Sequence, residues 1–129
     1  MTTEKPIGTK FLNVDLDIRT QSGLDELINA FNSSAFVLSK TEHQASFELS
    51  EIYPASIDEA VLHFSVLIKA FPLHIRTLWE QCEVRQMNIG IQGGVEPYAA
   101  YFALSENAVL LLASIHAEIV FTVYGSGLS

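Results

Sequence analysis

Residues 14–19 read Val-Asp-Leu-Asp-Ile-Arg, a strict alternation of branched apolar and charged side chains. Successive side chains on a strand point to opposite faces, so this run predicts a strand with one dry side and one wet side. A chain organised around such a strand must seal the dry side with a second layer and leave the charged side in water. The same alternation sets Asp15 and Asp17 on one face. Metal-dependent phosphoryl-transfer sites use pairs of this kind, because Mg²⁺ takes carboxylate oxygens together with substrate phosphates. Glu48, between Phe47 and Leu49, is the acid placed to join them as a third. Alternation by itself also explains both aspartates as the solvated side of a strand, and that reading is preferred.

The pattern continues along the chain. A first strand is expected over 10–20, then a Thr-Gln-Ser-Gly turn in which Ser22 caps a helix carrying Leu24, Leu27, Ile28 and Phe31 at helical spacing. "AFVLSK" and "QASFELS" read as a hairpin around "TEH". Ser56 and Glu59 form a capping box in which the serine oxygen takes the Glu59 amide and the carboxylate returns to the Ser56 amide. The second helix then carries Ile57, Ala60, Val61, Phe64, Leu67, Ile68 and Phe71 along one stripe. Pro72 lacks an amide hydrogen and clashes with the preceding turn, so this helix is expected to bend or split before Ile75, Leu78, Trp79 and Cys82 resume the spacing.

"VRQMNIGIQ" and "PYAAYFALS" read as two strands joined by a tight "GGVE" loop. A Ser105-capped third helix and a closing strand "EIVFTVYG" follow. The expected fold is α+β, in the order β-α-β-β-α-β-β-α-β. It has a single mostly antiparallel sheet of about six strands with three helices packed on one face. One domain spans 1–129, with 1–9 and 125–129 as flexible ends.

Composition supports this and excludes several functions. Of 129 residues, 49% are hydrophobic and 17% charged, which is the balance of a folded domain rather than a disordered chain. At that length folding buries roughly two-thirds of the surface of the open chain. The net charge of −8 opposes binding to nucleic acid, where Lys and Arg must neutralise phosphates, and opposes attraction to anionic membranes. It favours a basic protein partner. Cys82 is the single cysteine, so no disulfide forms within the chain and a reducing cytoplasm is the expected location. No signal-peptide core is present at the N-terminus, and "NAVLLLASIHA" is shorter than the roughly 20 apolar residues a membrane helix requires.

The motifs of catalysis are missing. His43, His63, His74 and His116 stand in none of the spacings of a zinc site, and Cys82 has no second thiol. The chain has no Gly-x-Ser-x-Gly turn and no Gly-Lys-Ser/Thr phosphate loop. "GIQGG" leads into a further predicted strand rather than a helix, which is the wrong context for a dinucleotide loop. No catalytic residue, metal or cofactor is therefore expected. Attention falls on the wet side of the sheet. If helices cover Val14, Leu16, Ile18, Phe47, Leu49, Ile89, Ile91, Phe102 and Phe121, the outward residues are Asp15, Asp17, Ser46, Glu48, Asn88, Gly90, Gln92, Ala99, Tyr101, Ala103, Thr122 and Tyr124. Tyrosines give large contact areas at low entropic cost, so Asp15, Asp17, Glu48, Asn88, Tyr101 and Tyr124 are the candidate binding residues. Leu62 and Val66 lie opposite the main stripe of the second helix. The third helix is apolar nearly all round, a pattern of multiple burial or of a homodimer interface.

The order of the C-terminal half, from "AVLHFSVLIKAF" through "MNIGIQ", "AAYFALS" and "SENAVLLLASIHA" to "IVFTVYG", resembles small bacterial α+β domains of unknown function. Some of these are similar to immunity proteins, which neutralise a toxin by binding it. The resemblance covers about residues 45–125 and carries no site residue with it. It implies a non-enzymatic, protein-binding domain, and the net charge of −8 makes a basic protein the expected partner. The alternatives are a metal-dependent enzyme using Asp15, Asp17 and Glu48, and a homo-oligomer that binds a small ligand.

Overall fold

The computed structural model describes residues 8–96 and 98–125. They form β1 (Lys10–Arg19), α1 (Leu24–Phe31), β2 (Ala35–Lys40), β3 (Gln44–Leu49), α2 (Ile57–Lys69), α3 (Leu73–Glu80), β4 (Val84–Gln92), α4 (Glu106–Ser114) and β5 (Glu118–Tyr124). Residues 1–7 and 126–129, most of the expected flexible ends, lie outside the described residues, as does Pro97. The fold is α+β, with one mixed five-stranded sheet in the order β2-β3-β1-β4-β5. The β2–β3, β3–β1 and β1–β4 pairs are antiparallel, and β4–β5 is parallel. The alternating strand β1 is thus the central one. Parallel neighbours need a crossover, and α4 supplies it.

Two expectations are corrected. Among the described residues five strands form rather than six, because 98–105 pairs with nothing in the sheet. The Gly93 amide donates to the Tyr124 carbonyl at 2.7 Å, so the chain leaves the sheet there and the place beside β4 goes to β5. "GGVE" is consequently no hairpin loop. Phe102 and Leu104 still turn against the core while Tyr101 and Ala103 face solvent. That is a period-two pattern in extended chain without a ladder, and it is why the segment reads as a strand. Among the described residues the helices number four rather than three, because the break expected at Pro72 is complete and divides the long one. α2 ends at Lys69, and Pro72 becomes the N-cap of α3, its carbonyl accepting from the amides of Ile75 and Arg76 at 3.0 and 2.9 Å.

The helix starts differ in detail. Ser56 Oγ accepts from the Glu59 amide at 3.1 Å, but the Glu59 carboxylate accepts from the Ala55 amide rather than from Ser56. Ser105 Oγ accepts from the Ala108 amide, as its position predicts. Ser22 does not cap α1. That role falls to Gly23 in the left-handed region (φ 80°), a conformation glycine adopts freely, with Leu78 packed where a side chain would go.

The core lies between the sheet and the helices. Leu16, Ile18, Phe47, Met87 and Ile89 from the strands meet Leu27, Phe31, Phe64, Ile68 and Trp79 from α1, α2 and α3, all buried. Each such side chain stabilises the fold by roughly 1.5–3 kcal/mol. The Phe31 ring packs tilted on Phe47, with centroids 4.6 Å apart, and edge-on against Phe71 at 5.2 Å. Trp79 Nε1 donates to the Ile115 carbonyl at 2.8 Å, tying α3 to the end of α4. Cys82 is a small core residue, and burial pushes its thiol further above the range where thiolate forms. The helix layer does not reach the β5 edge. Phe121 and Val123 pair with Ile89 and Ile91 and so share the helix side, yet they are 49% and 64% exposed. This corrects the expectation that helices cover Phe121, since α4 packs on α2 instead. No helix among the described residues is long and apolar enough to cross a membrane.

Candidate functional site on the open face of the sheet

Because β1 is central and, past a register shift between Phe11 and Asn13, alternates regularly to Arg19, the side chains of Asn13, Asp15, Asp17 and Arg19 line the middle of the face that no described helix covers. Strand register brings Ser46 and Gln44 beside them from β3, and Gln86, Asn88 and Gly90 from β4. Thr122 and Tyr124 follow on β5, level with Gly90 and Gln92. Glu48, two residues on from Ser46, continues this face of β3, where Phe36 of β2 lies opposite it.

A hydrogen-bonded relay crosses four strands here. Thr122 Oγ1 donates to Asn88 Oδ1 at 2.7 Å, and Asn88 Nδ2 reaches Asp17 Oδ2 at 3.4 Å. Ser46 Oγ donates to the other Asp17 oxygen at 2.7 Å. Asp17 is therefore well satisfied. Asp15 has one donor, Asn13 Nδ2 at 3.2 Å. Partial burial, and then the charges of Asp17 and Glu48, push its carboxyl from 3.8 up to about 6. Burial strips water from the charged form, and like charges oppose it further. At neutral pH the face thus holds carboxylates that repel one another.

Two features shape the surface. Gly90 leaves a dimple filled by the Asn13 side chain, with the Tyr124 ring against it. Around Asp17, Arg19, Gln44, Ser46 and Gln86, with Ala45 and Val84 also in its lining, lies a depression of about 310 Å³ that mixes polar and apolar groups and opens to solvent. Arg19 at its rim pairs with Glu83 at 3.6 Å. Neither feature is a deep cleft enclosing the carboxylates.

Of the candidate binding residues, Asp15, Asp17, Glu48, Asn88 and Tyr124 come together on this face. Tyr101 does not. It sits in the irregular segment before α4, 94% exposed, and Ala99 and Ala103 lie in the same segment. Arg19 stands on this face as the alternation of 14–19 predicts, and Asn13, Gln44 and Gln86 join it by their parity with Asp15, Ser46 and Asn88. Among the described residues no three His, Cys, Asp or Glu side chains are arranged to hold a metal ion, so Asp15, Asp17 and Glu48 are neighbours without being a ligand set. All four histidines lie off the strands. No family model, no curated protein and no solved structure matches the chain.

Proposed function

We propose that this chain is a non-enzymatic, acidic protein-binding domain of immunity type that takes a basic partner on the open face of its sheet. The observation that carries the reading is the face of the central strand that no described helix covers, where Asp15 and Asp17 stand beside Glu48 and are framed by amides and hydroxyls. Such a face offers fixed acceptors to Lys and Arg side chains. Burial first, and then the charges of Asp17 and Glu48, raise Asp15, and a docked cation offsets the second of these. The net charge of −8 adds long-range attraction for a basic partner and raises its rate of encounter. A half-buried sheet face whose one depression is shallow and open suits protein contact better than small-substrate chemistry, which favours enclosed, largely apolar sites.

The test compares the wild-type chain with the triple variant Asp15→Lys, Asp17→Lys and Glu48→Lys as baits in extracts of the source cells. A protein retained by the first and lost by the second is then purified and its association rate measured against salt. The expected loss is roughly tenfold or more in rate at low salt, shrinking as salt rises. Capture of nothing, or equal rates for both baits, sinks the reading.

A further inference from the structure

We propose that β5 pairs with β5 of a second copy, antiparallel about a two-fold axis through Phe121, so that one sheet runs across both chains. The two edges of the sheet differ in how they are guarded. β2 shifts register between Val37 and Ser39 and ends in Lys40, which pairs with Asp25, two devices that discourage strand addition. β5 runs in unbroken register from Gln86↔Glu118 to Gln92↔Tyr124 and contains no proline, lysine or glycine. Among the described residues nothing pairs with its outer side.

Backbone direction fixes which groups are free. The Tyr124 carbonyl faces the β4 side, where it accepts from Gly93. Backbone groups alternate along a strand as side chains do, so Thr122, Val120 and Glu118 face β4 as well, and the N–H and C=O groups of Ile119, Phe121 and Val123 point outward. A two-fold axis at Phe121 sets Phe121 against Phe121 and Ile119 against Val123, all outward-facing, and so forms hydrogen-bonded pairs. Directly opposed residues share a face, so these apolar contacts fall on the helix side, where Phe121 and Val123 are exposed. On the other side Val120 meets Thr122 and Glu118 meets Tyr124. No like charges oppose each other at any position.

Charge also decides between occupants. β5 carries one carboxylate, Glu118, and therefore little to draw in a basic strand, whereas its own sequence complements it at every position. The pairing extends the sheet sideways and leaves the open face free, so it stands apart from the reading above. Because each copy carries a charge of −8, screening should strengthen the dimer, the opposite of a basic partner's response.

Sedimentation equilibrium of the full chain, from low micromolar to near-millimolar concentration, tests this. The expected result is a dimer that tightens with added sodium chloride. Phe121→Lys opposes two cations across the axis and should weaken it by about tenfold or more, and Val123→Pro, which removes two outward donors per dimer, should do likewise. Both sites are exposed, and circular dichroism verifies that the variants fold. Amide exchange at Ile119, Phe121 and Val123 should slow with concentration while Val120 and Thr122 are protected throughout. A monomer at every concentration overturns the proposal. So does a dimer that loosens with salt, or one that ignores both substitutions.

Discussion

Asn13 on β1 faces Gly90 on β4, and its side-chain oxygen stands 2.5 Å from where a β-carbon at position 90 would lie. The missing side chain is what lets the Asn13 amide lie flat and donate to Asp15. Gly90→Ala should push Asn13 out of the dimple and break that bond. The expected cost is about 1–3 kcal/mol, read from urea unfolding. Loss of a donor to the charged form should also raise Asp15 further, which carboxyl-carbon NMR titration would show. An unchanged Asp15 titration would mean that Asn13 does not tune it.

Asp15 makes the fold pH-dependent in a defined direction. Its carboxyl titrates at about 6 in the folded chain against 3.8 for the free group. The folded state therefore holds the proton more tightly. The stability this confers is full below pH of about 4 and is lost as pH rises through about 6. Asp15→Asn mimics the neutral form at every pH. It should stabilise the protein by about 1–2 kcal/mol at pH near 8, a figure reduced for solvent screening at this partly exposed site, and should have little effect at pH near 4. Urea denaturation at both pH values measures the difference.

Trp79 offers a test of how the helix layer is tied together. Its indole is fully buried and donates to the Ile115 carbonyl at 2.8 Å. Trp79→Phe keeps most of the apolar contact but leaves that acceptor without its indole donor and opens a small void. A loss of about 2–4 kcal/mol is expected in chemical denaturation. The Ile115–Ala117 turn should lose hydrogen-exchange protection first.

Ser56 is the N-cap of the longest helix, and its hydroxyl takes the Glu59 amide. Ser56→Ala should cost about 1 kcal/mol and Ser56→Gly only a few tenths, since glycine leaves the amide open to water. Thermal unfolding of the two variants gives the ordering.

The sequence by itself determined the two-sided sheet. Alternation in β1 and β4, stripes on α1 and α2, the capping serines at 56 and 105, and the proline break at 72 are local patterns enforced by backbone geometry. The wet side therefore gathers Asp15, Asp17, Glu48, Asn88 and Tyr124 as read. What tertiary structure decided was which strands become neighbours. Tyr101 alternates as convincingly as Asp15, yet its segment finds no ladder, because β5 takes the place beside β4 and satisfies the same backbone groups. The raised Asp15 carboxyl, the Asn13–Gly90 dimple and the exposed Phe121 all arise from side chains of strands distant in sequence, or from a helix layer that stops short of one edge. No spacing rule encodes those distances. They exist only once the strands have paired.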